Sequence, residues 1–277
     1  LALDLYFENQ KKRKMKKSGI WLIGLTLLLS SCKKGDLNLF SLEDDKNLGQ
    51  QTVQQILADP NQYPVLSRTQ YPSAYTYMDN MRNAILASGK VQHAADFEWT
   101  LYIINDPNTQ NAFCTPGGYI FVYTGLIKYL DNASSLAGVL GHEMGHADHR
   151  HSTTQMTKEY GIQTLLDVVL GNNQNQLTQI ASSLVNLTFS RADETDADKQ
   201  SVTYLCPTQY RANGAQDFFV KIANSGGQQT PAFLSTHPNP DNRVANINAK
   251  NSELGCNSTP STQVEITDYQ TFKNSLP

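Results

Sequence analysis

No apolar run in this 277-residue chain is long enough to cross a bilayer. The run Ile20–Leu29 (IWLIGLTLLL) carries no charge but covers ten residues, and a spanning helix needs ~20. Positive charge is not in surplus either: 22 Lys and Arg stand against 25 Asp and Glu, so the basic footprint of a nucleic-acid binder is missing and no nucleic-acid partner is expected. No internal repeat recurs, which excludes a repeat array, and the only low-complexity stretch is the short polar loop Gly171–Asn175. Cysteine and histidine are scarce, with four and six copies. What remains is a globular composition, 39% apolar and 17% charged, which suffices for a sizeable core in one large or two ordinary domains.

The N-terminus departs from that average. Lys11–Lys17 is strongly basic, the apolar run Ile20–Leu29 follows, and the run ends in Leu29-Ser30-Ser31-Cys32. Basic, apolar and small residues in that order describe a secretory signal peptide. The Leu-Ser-Ser-Cys ending resembles the lipobox of bacterial lipoproteins, which implies cleavage before Cys32 and lipidation of that cysteine. Residues 1–31 are therefore expected to be an N-terminal extension and signal peptide, with Met15 as its natural start. Residues 32–44 follow as lipid anchor and tether, and 45–277 as the folded domain. The expected location is that of an exported bacterial lipoprotein, attached to the periplasmic face of a membrane through its lipid. Lys33 gives no readable retention signal, and the outer membrane is favoured. Without residues 1–31 the chain keeps 16 basic and 23 acidic side chains, a formal charge of −7. Of the three cysteines beyond Cys32, Cys206 and Cys256 both stand beside turn-like sequence. They can pair in an oxidising compartment, which leaves Cys114 free.

Helical patterning begins at about Asp45. Residues 45–58 and 72–88 read as helices, the second with Tyr77, Met81, Ala84 and Ile85 at spacings of three and four. The period then changes. Phe97–Asn105 and Gly118–Tyr123 are rich in aromatic and β-branched residues and flank Asn111–Gly117, which has strand and then turn character. A small sheet between helices is expected. Asn132 or Ser134 can cap the next helix, whose buried stripe runs through Leu136, Val139, Leu140 and Met144. Gly141 and Gly145 on another face each cost ~1 kcal/mol relative to alanine, which points to an element packed close to that backbone. Further helices are expected from about Thr154 to Leu170 and through Leu177, Ile180, Ala181, Leu184 and Leu187.

Residues 142–146 of that capped helix read His-Glu-Met-Gly-His, an H-E-x-x-H zinc protease signature. Residues i and i+4 share a helix face, so His142 and His146 can reach one metal ion with Glu143 beside it as general base. A catalytic zinc site has three protein ligands and an open position. The three-histidine extension H-E-x-x-H-x-x-G-x-x-H fails, because position 149 is His and position 152 is Ser. His149 and His151 lie too near in sequence to serve as the third ligand. In Ser190–Asp198 a capping-box pattern, Ser190 with Asp193, places Glu194 in the first turns of a new helix with Asp198 on the same face. Glu194 can bind the metal while Asp198 accepts the free N–H of a ligand histidine. The same acid-rich turn also reads as a solvated helix face; the need for a third ligand favours Glu194.

These residues resemble the gluzincin metallopeptidase family that includes the HtpX proteases and the CAAX prenyl endopeptidases, in its soluble, periplasmic lipoprotein-type form. The resemblance rests on Asn111-Ala112-Phe113 with Pro116-Gly117-Gly118, on His142–His146 with Arg150-His151, on Ser190-Arg191 with Glu194, Ala197 and Asp198, and on Thr236-His237-Pro238 with Arg243. It implies a mainly helical α+β, zincin-like metallopeptidase domain with a small β-sheet and the H-E-x-x-H motif on an active-site helix. One Zn2+ per chain would be held by His142, His146 and Glu194. His237 and Arg243 are implied at the active site, either stabilising an oxyanion or, for His237, filling the metal's open position. Asn111, Ala112, Phe113 and Cys114 are expected on a substrate-binding edge strand that holds extended chains through main-chain hydrogen bonds. Protein or peptide substrates follow, with unfolded or misassembled cell-envelope proteins as the expected class. An envelope lipoprotein acting as chaperone or assembly factor is the alternative.

Overall fold

The computed structural model describes residues 38, 40–169, 172, 174–225, 231–238, 242–259 and 262–277. The folded unit spans Leu39–Pro277. The expected signal peptide, Cys32 and most of the expected tether lie outside the described residues, as do residues 239–241.

The first helix, α1 (Leu42–Ala58), begins three residues before the sequence pattern suggests. Ser41 and Asp44 form a capping box, each side chain bonding the other's backbone N–H, so the helix starts inside the segment expected to be tether. α2 (Pro72–Leu86) buries Met78, Met81 and Ile85. β1 (Thr100–Ile104), β2 (Ala112–Thr115) and β3 (Tyr119–Tyr123) then form a sheet in the order β1-β3-β2. β1 runs parallel to β3 with Thr100 opposite Tyr119, and β2 runs antiparallel to it with Phe113 opposite Phe121. The β2–β3 turn passes through Gly117 and Gly118, both at positive φ (77° and 85°), a conformation that disfavours any side chain.

After the short α3 (Thr124–Tyr129) comes α4 (Ala133–Asp148), capped by Asn132, which accepts from Ser135 N. Every residue of α4 is buried. It packs against β2, against α8 (Arg191–Leu205) and against α9 (Ala215–Asn224). Small residues allow this. A Cβ on Gly138 would sit 2.2 Å from Ala215 N, and one on Gly141 2.9 Å from Ser201 Oγ. The close neighbour expected from Gly141 and Gly145 is thus α8, and Gly138 adds α9.

Arg150 turns the chain out of α4 in a left-handed conformation (φ 57°). It is fixed by Asp45, whose Oδ2 lies 2.5 Å from Arg150 Nε. Where one helix is expected over 154–170, the chain forms α5 (His151–Tyr160) and α6 (Ile162–Val169), separated by Gly161 at φ 74°. α7 (Gln174–Leu184) follows, then α8 and α9, the single turn α10 (Phe233–Thr236), α11 (Arg243–Leu254) and α12 (Gln263–Asn274). A disulfide joins Cys206, at the end of α8, to Cys256, just after α11, and Cys114 is free and buried. Among the described residues no helix is long and apolar enough to cross a membrane.

Candidate metal centre

A helix buried along its whole length must satisfy each polar side chain it carries. α4 does so with one exception. Ser134 Oγ accepts from Arg211 N, Ser135 Oγ bonds Asp217, and Asp148 accepts from Gln92 N, His93 N and Tyr204 Oη. Glu143 is the exception: both carboxylate oxygens lack a hydrogen bond, although the carboxylate is fully buried. Burial raises its pKa, opposed by His237 and His142. The Cys114 thiol lies against it and is itself pushed up by burial and by the Glu143 charge.

One helical turn apart, His142 and His146 bring their Nε2 atoms within 3.0 Å of each other. Glu194, in the first turn of α8, reaches the same point from across the α4–α8 contact. Its Oε1 lies 3.3 Å from His146 Nε2 and its Oε2 3.5 Å from His142 Nε2. The capping box of Ser190 and Asp193 sets this phase, with Ser190 Oγ accepting from Asp193 N and Asp193 accepting from Ser190 N. His237, just after α10, adds a fourth group: its Nδ1 is 2.9 Å from Glu194 Oε1 and 3.3 Å from His142 Nε2. Ligand atoms of His142, His146, Glu194 and His237 all lie within 4.8 Å of one another, and all four residues are buried.

The surrounding groups fit a cation. Glu194 Oε2 and His237 Nε2 are buried without a hydrogen bond, and their nearest charged neighbours are Arg243 Nη2 at 3.1 Å and Glu143 Oε1 at 3.5 Å. Burial opposes ionisation of Glu194, yet the histidines outweigh it and hold the carboxyl far below its usual range. Burial also opposes charging of His142, but Asp198 and Glu194 win and push its pKa up to about 9. For His146 burial prevails, and its pKa falls well below the ordinary value. Two imidazoles and a carboxylate are a zinc-type donor set.

Each histidine of the motif has a partner on its far nitrogen. His142 Nδ1 is 2.9 Å from Asp198 Oδ1, as the i, i+4 relation of Glu194 and Asp198 suggests. Arg243, at the start of α11, holds Asp198 through Nε and Nη2 at 2.7 and 2.8 Å. Its Nη2 is also 3.1 Å from Glu194 Oε2, while Nη1 is buried without a hydrogen bond. For His146 the partner is His151: the two Nδ1 atoms are 3.0 Å apart. His151, too near His146 in sequence to be expected as a third ligand, instead meets its far nitrogen, a contact that depends on the left-handed Arg150 folding the chain back.

The expected edge strand is β2, at one side of the sheet. Asn111, Ala112, Phe113 and Cys114 are all buried. The Phe233–His237 turn lies beside it, with Phe233 N donating to Gln110 O and Phe189 N to Thr236 O. The same turn stacks Phe233 on the His237 ring at 4.1 Å, so the centre is covered in this conformation.

A sequence model described as peptidase family M48 matches residues 73–251. The chain is 33% identical over 153 residues to the mitochondrial metalloendopeptidase OMA1 of Arabidopsis thaliana, covering 55% of this chain and 31% of that protein. It is 29% identical over 217 residues to the OMA1 of Schizosaccharomyces pombe, covering 76% and 62%. Similarity to the beta-barrel assembly-enhancing protease of Yersinia pestis is 25% over 207 residues, covering 69% and 42%. The chain thus spans between about a third and just under two thirds of the length of these curated relatives.

Proposed function

This chain belongs to peptidase family M48, and we propose that it is a zinc-dependent endopeptidase acting on unfolded or misassembled cell-envelope proteins. The observation that carries the reading is the convergence of His142, His146 and Glu194 beside the buried carboxylate of Glu143, which has no hydrogen bond and lies 3.5 Å from His237 Nε2.

In this reading His142, His146 and Glu194 hold one zinc ion, with Asp198 and His151 orienting the imidazoles. Bound zinc would supply Lewis acidity toward a peptide carbonyl and toward water. Glu143 takes a proton from the attacking water and returns it to the leaving amine nitrogen, work worth ~10²–10⁴ in rate. Its raised pKa suits that exchange. Arg243 positions Asp198 with two of its donors and has Nη1 left for developing oxyanion charge. His237 ends the covering turn and lies among the four clustered donor groups, so we assign it to a closed state that must open for a peptide to enter along β2.

The envelope assignment draws on three observations. The Cys206–Cys256 disulfide suits an oxidising compartment. The lipobox-like Leu29–Cys32 points to export as a lipoprotein anchored by Cys32, on the outer membrane by preference. The Yersinia pestis relative is named for beta-barrel assembly. The test is incubation of wild type and Glu143→Gln with a permanently unfolded protein, with and without chelator. Cleavage by wild type alone, lost on chelation, is the expected result. Equal cleavage by both proteins would overturn the assignment of Glu143.

A further inference from the structure

A second group of metal-ligating side chains stands outside the first. His149 closes α4, His151 opens α5, and Asp196 projects from α8 toward both. His149 Nδ1 contacts Asp196 Oδ2, and His151 Nε2 lies 3.3 Å from the same oxygen. Their donor atoms fall within 4.8 Å of one another. Unlike the first centre, this one meets solvent: the side chains of His149 and Asp196 are 30% and 37% exposed, and that of His151 10%. Two imidazole nitrogens and one carboxylate oxygen, with room for water, form a donor set that suits zinc, nickel or copper better than calcium or magnesium.

We propose that His149, His151 and Asp196 form a second, lower-affinity site for zinc-like divalent cations, and that its occupancy weakens metal binding at His142, His146 and Glu194. The antagonism rests on the reading of those three residues as the first site. His146 presents Nε2 to that site and Nδ1 to His151 Nδ1, 3.0 Å away. A neutral imidazole that gives Nε2 to a metal carries its proton on Nδ1. That proton is donated to His151 Nδ1, so His151 must carry its own proton on Nε2, facing Asp196.

A cation at the second site needs the His151 Nε2 lone pair. The proton there is displaced and His151 is then protonated on Nδ1, which sets two N–H groups against each other across 3.0 Å. The hydrogen bond that orients His146 is replaced by a repulsive contact. Loss of such a partner weakens a metal site ~10–100-fold, and linkage requires the first ion to weaken the second by the same factor.

The experiment is a zinc titration of the purified full chain against a chromophoric chelator, comparing wild type, His149→Asn, Asp196→Asn and Glu194→Gln, with folding checked by circular dichroism. Wild type should take up two ions. His149→Asn should keep the tight site and lose the weak one. Glu194→Gln should keep the weak site and bind there ~10–100-fold more tightly than wild type does. Wild type saturating at one ion, or both His149→Asn and Asp196→Asn retaining a second, would overturn the site. Equal second-site affinity in wild type and Glu194→Gln would overturn the antagonism. A tight site untouched by Glu194→Gln but lost in His149→Asn would instead reject the first-site reading.

Discussion

Arg243 Nε lies 2.7 Å from Asp198 Oδ2, and Asp198 Oδ1 lies 2.9 Å from His142 Nδ1. One carboxylate therefore links the start of α11 to the helix bearing the metal-binding motif. All three residues are buried. Removing one member of a buried ion pair leaves the other charge uncompensated, at a cost of ~3–5 kcal/mol. Arg243→Ala should lower stability by about that amount in chemical denaturation, and Asp198→Asn should weaken zinc binding ~10–100-fold. An Asp198→Asn protein that binds zinc like wild type would remove Asp198 from the account.

Metal uptake by the metal-free protein should release a proton. His142 has its pKa pushed up to about 9, so it is protonated at neutral pH and must lose that proton to become a ligand. His146 is held neutral and Glu194 ionised, so neither contributes. Zinc affinity should therefore rise ~tenfold per pH unit above neutrality and level off near pH 9. Calorimetry in buffers of differing ionisation enthalpy checks this near pH 7; no net proton release would contradict the protonated state of His142.

Glycine in α4 sets how closely α9 and α8 approach. A Cβ on Gly138 would lie 2.2 Å from Ala215 N, a backbone atom that cannot swing away. On Gly145 it would meet Ala197 O and Gln200 Cβ at 3.2 Å. Overpacking of this kind costs ~1–3 kcal/mol, so Gly138→Ala should lower Tm by several degrees and more than Gly145→Ala. The reverse order in thermal melts would show that α9, not α8, is the yielding neighbour.

The disulfide closes a loop with a sequence separation of 50 residues. For such a loop the chain-entropy model gives ~4 kcal/mol, with 2–4 kcal/mol typical. The loop ties the far end of α8, which carries Glu194 and Asp198, to the end of α11, which begins with Arg243. Cys206→Ser with Cys256→Ser should therefore lower both stability and zinc affinity. A change in stability alone would separate the bridge from the metal centre.

The H-E-x-x-H helix was legible because its chemistry is local: ligand spacing and helix period coincide. Glu194 was legible for a related reason, since a capping box fixes the phase of the first turn. The start of α1 at Leu42 was missed because Ser41 and Asp44 extend a helix beyond its apolar stripe. Gly161 was read through because the helical pattern continues on both sides of it, whereas its positive φ breaks the helix. The contact of His151 with His146 and the triple acceptance by Asp148 depend on a left-handed residue and on distant segments, which sequence spacing cannot reveal.

The most direct measurement of the metal centre is anomalous X-ray scattering at the zinc edge from crystals of protein loaded with one equivalent of zinc. A single strong peak is expected within ~2.0–2.2 Å of His142 Nε2, His146 Nε2 and a Glu194 oxygen. A strong peak elsewhere, or none at these three residues, would contradict it.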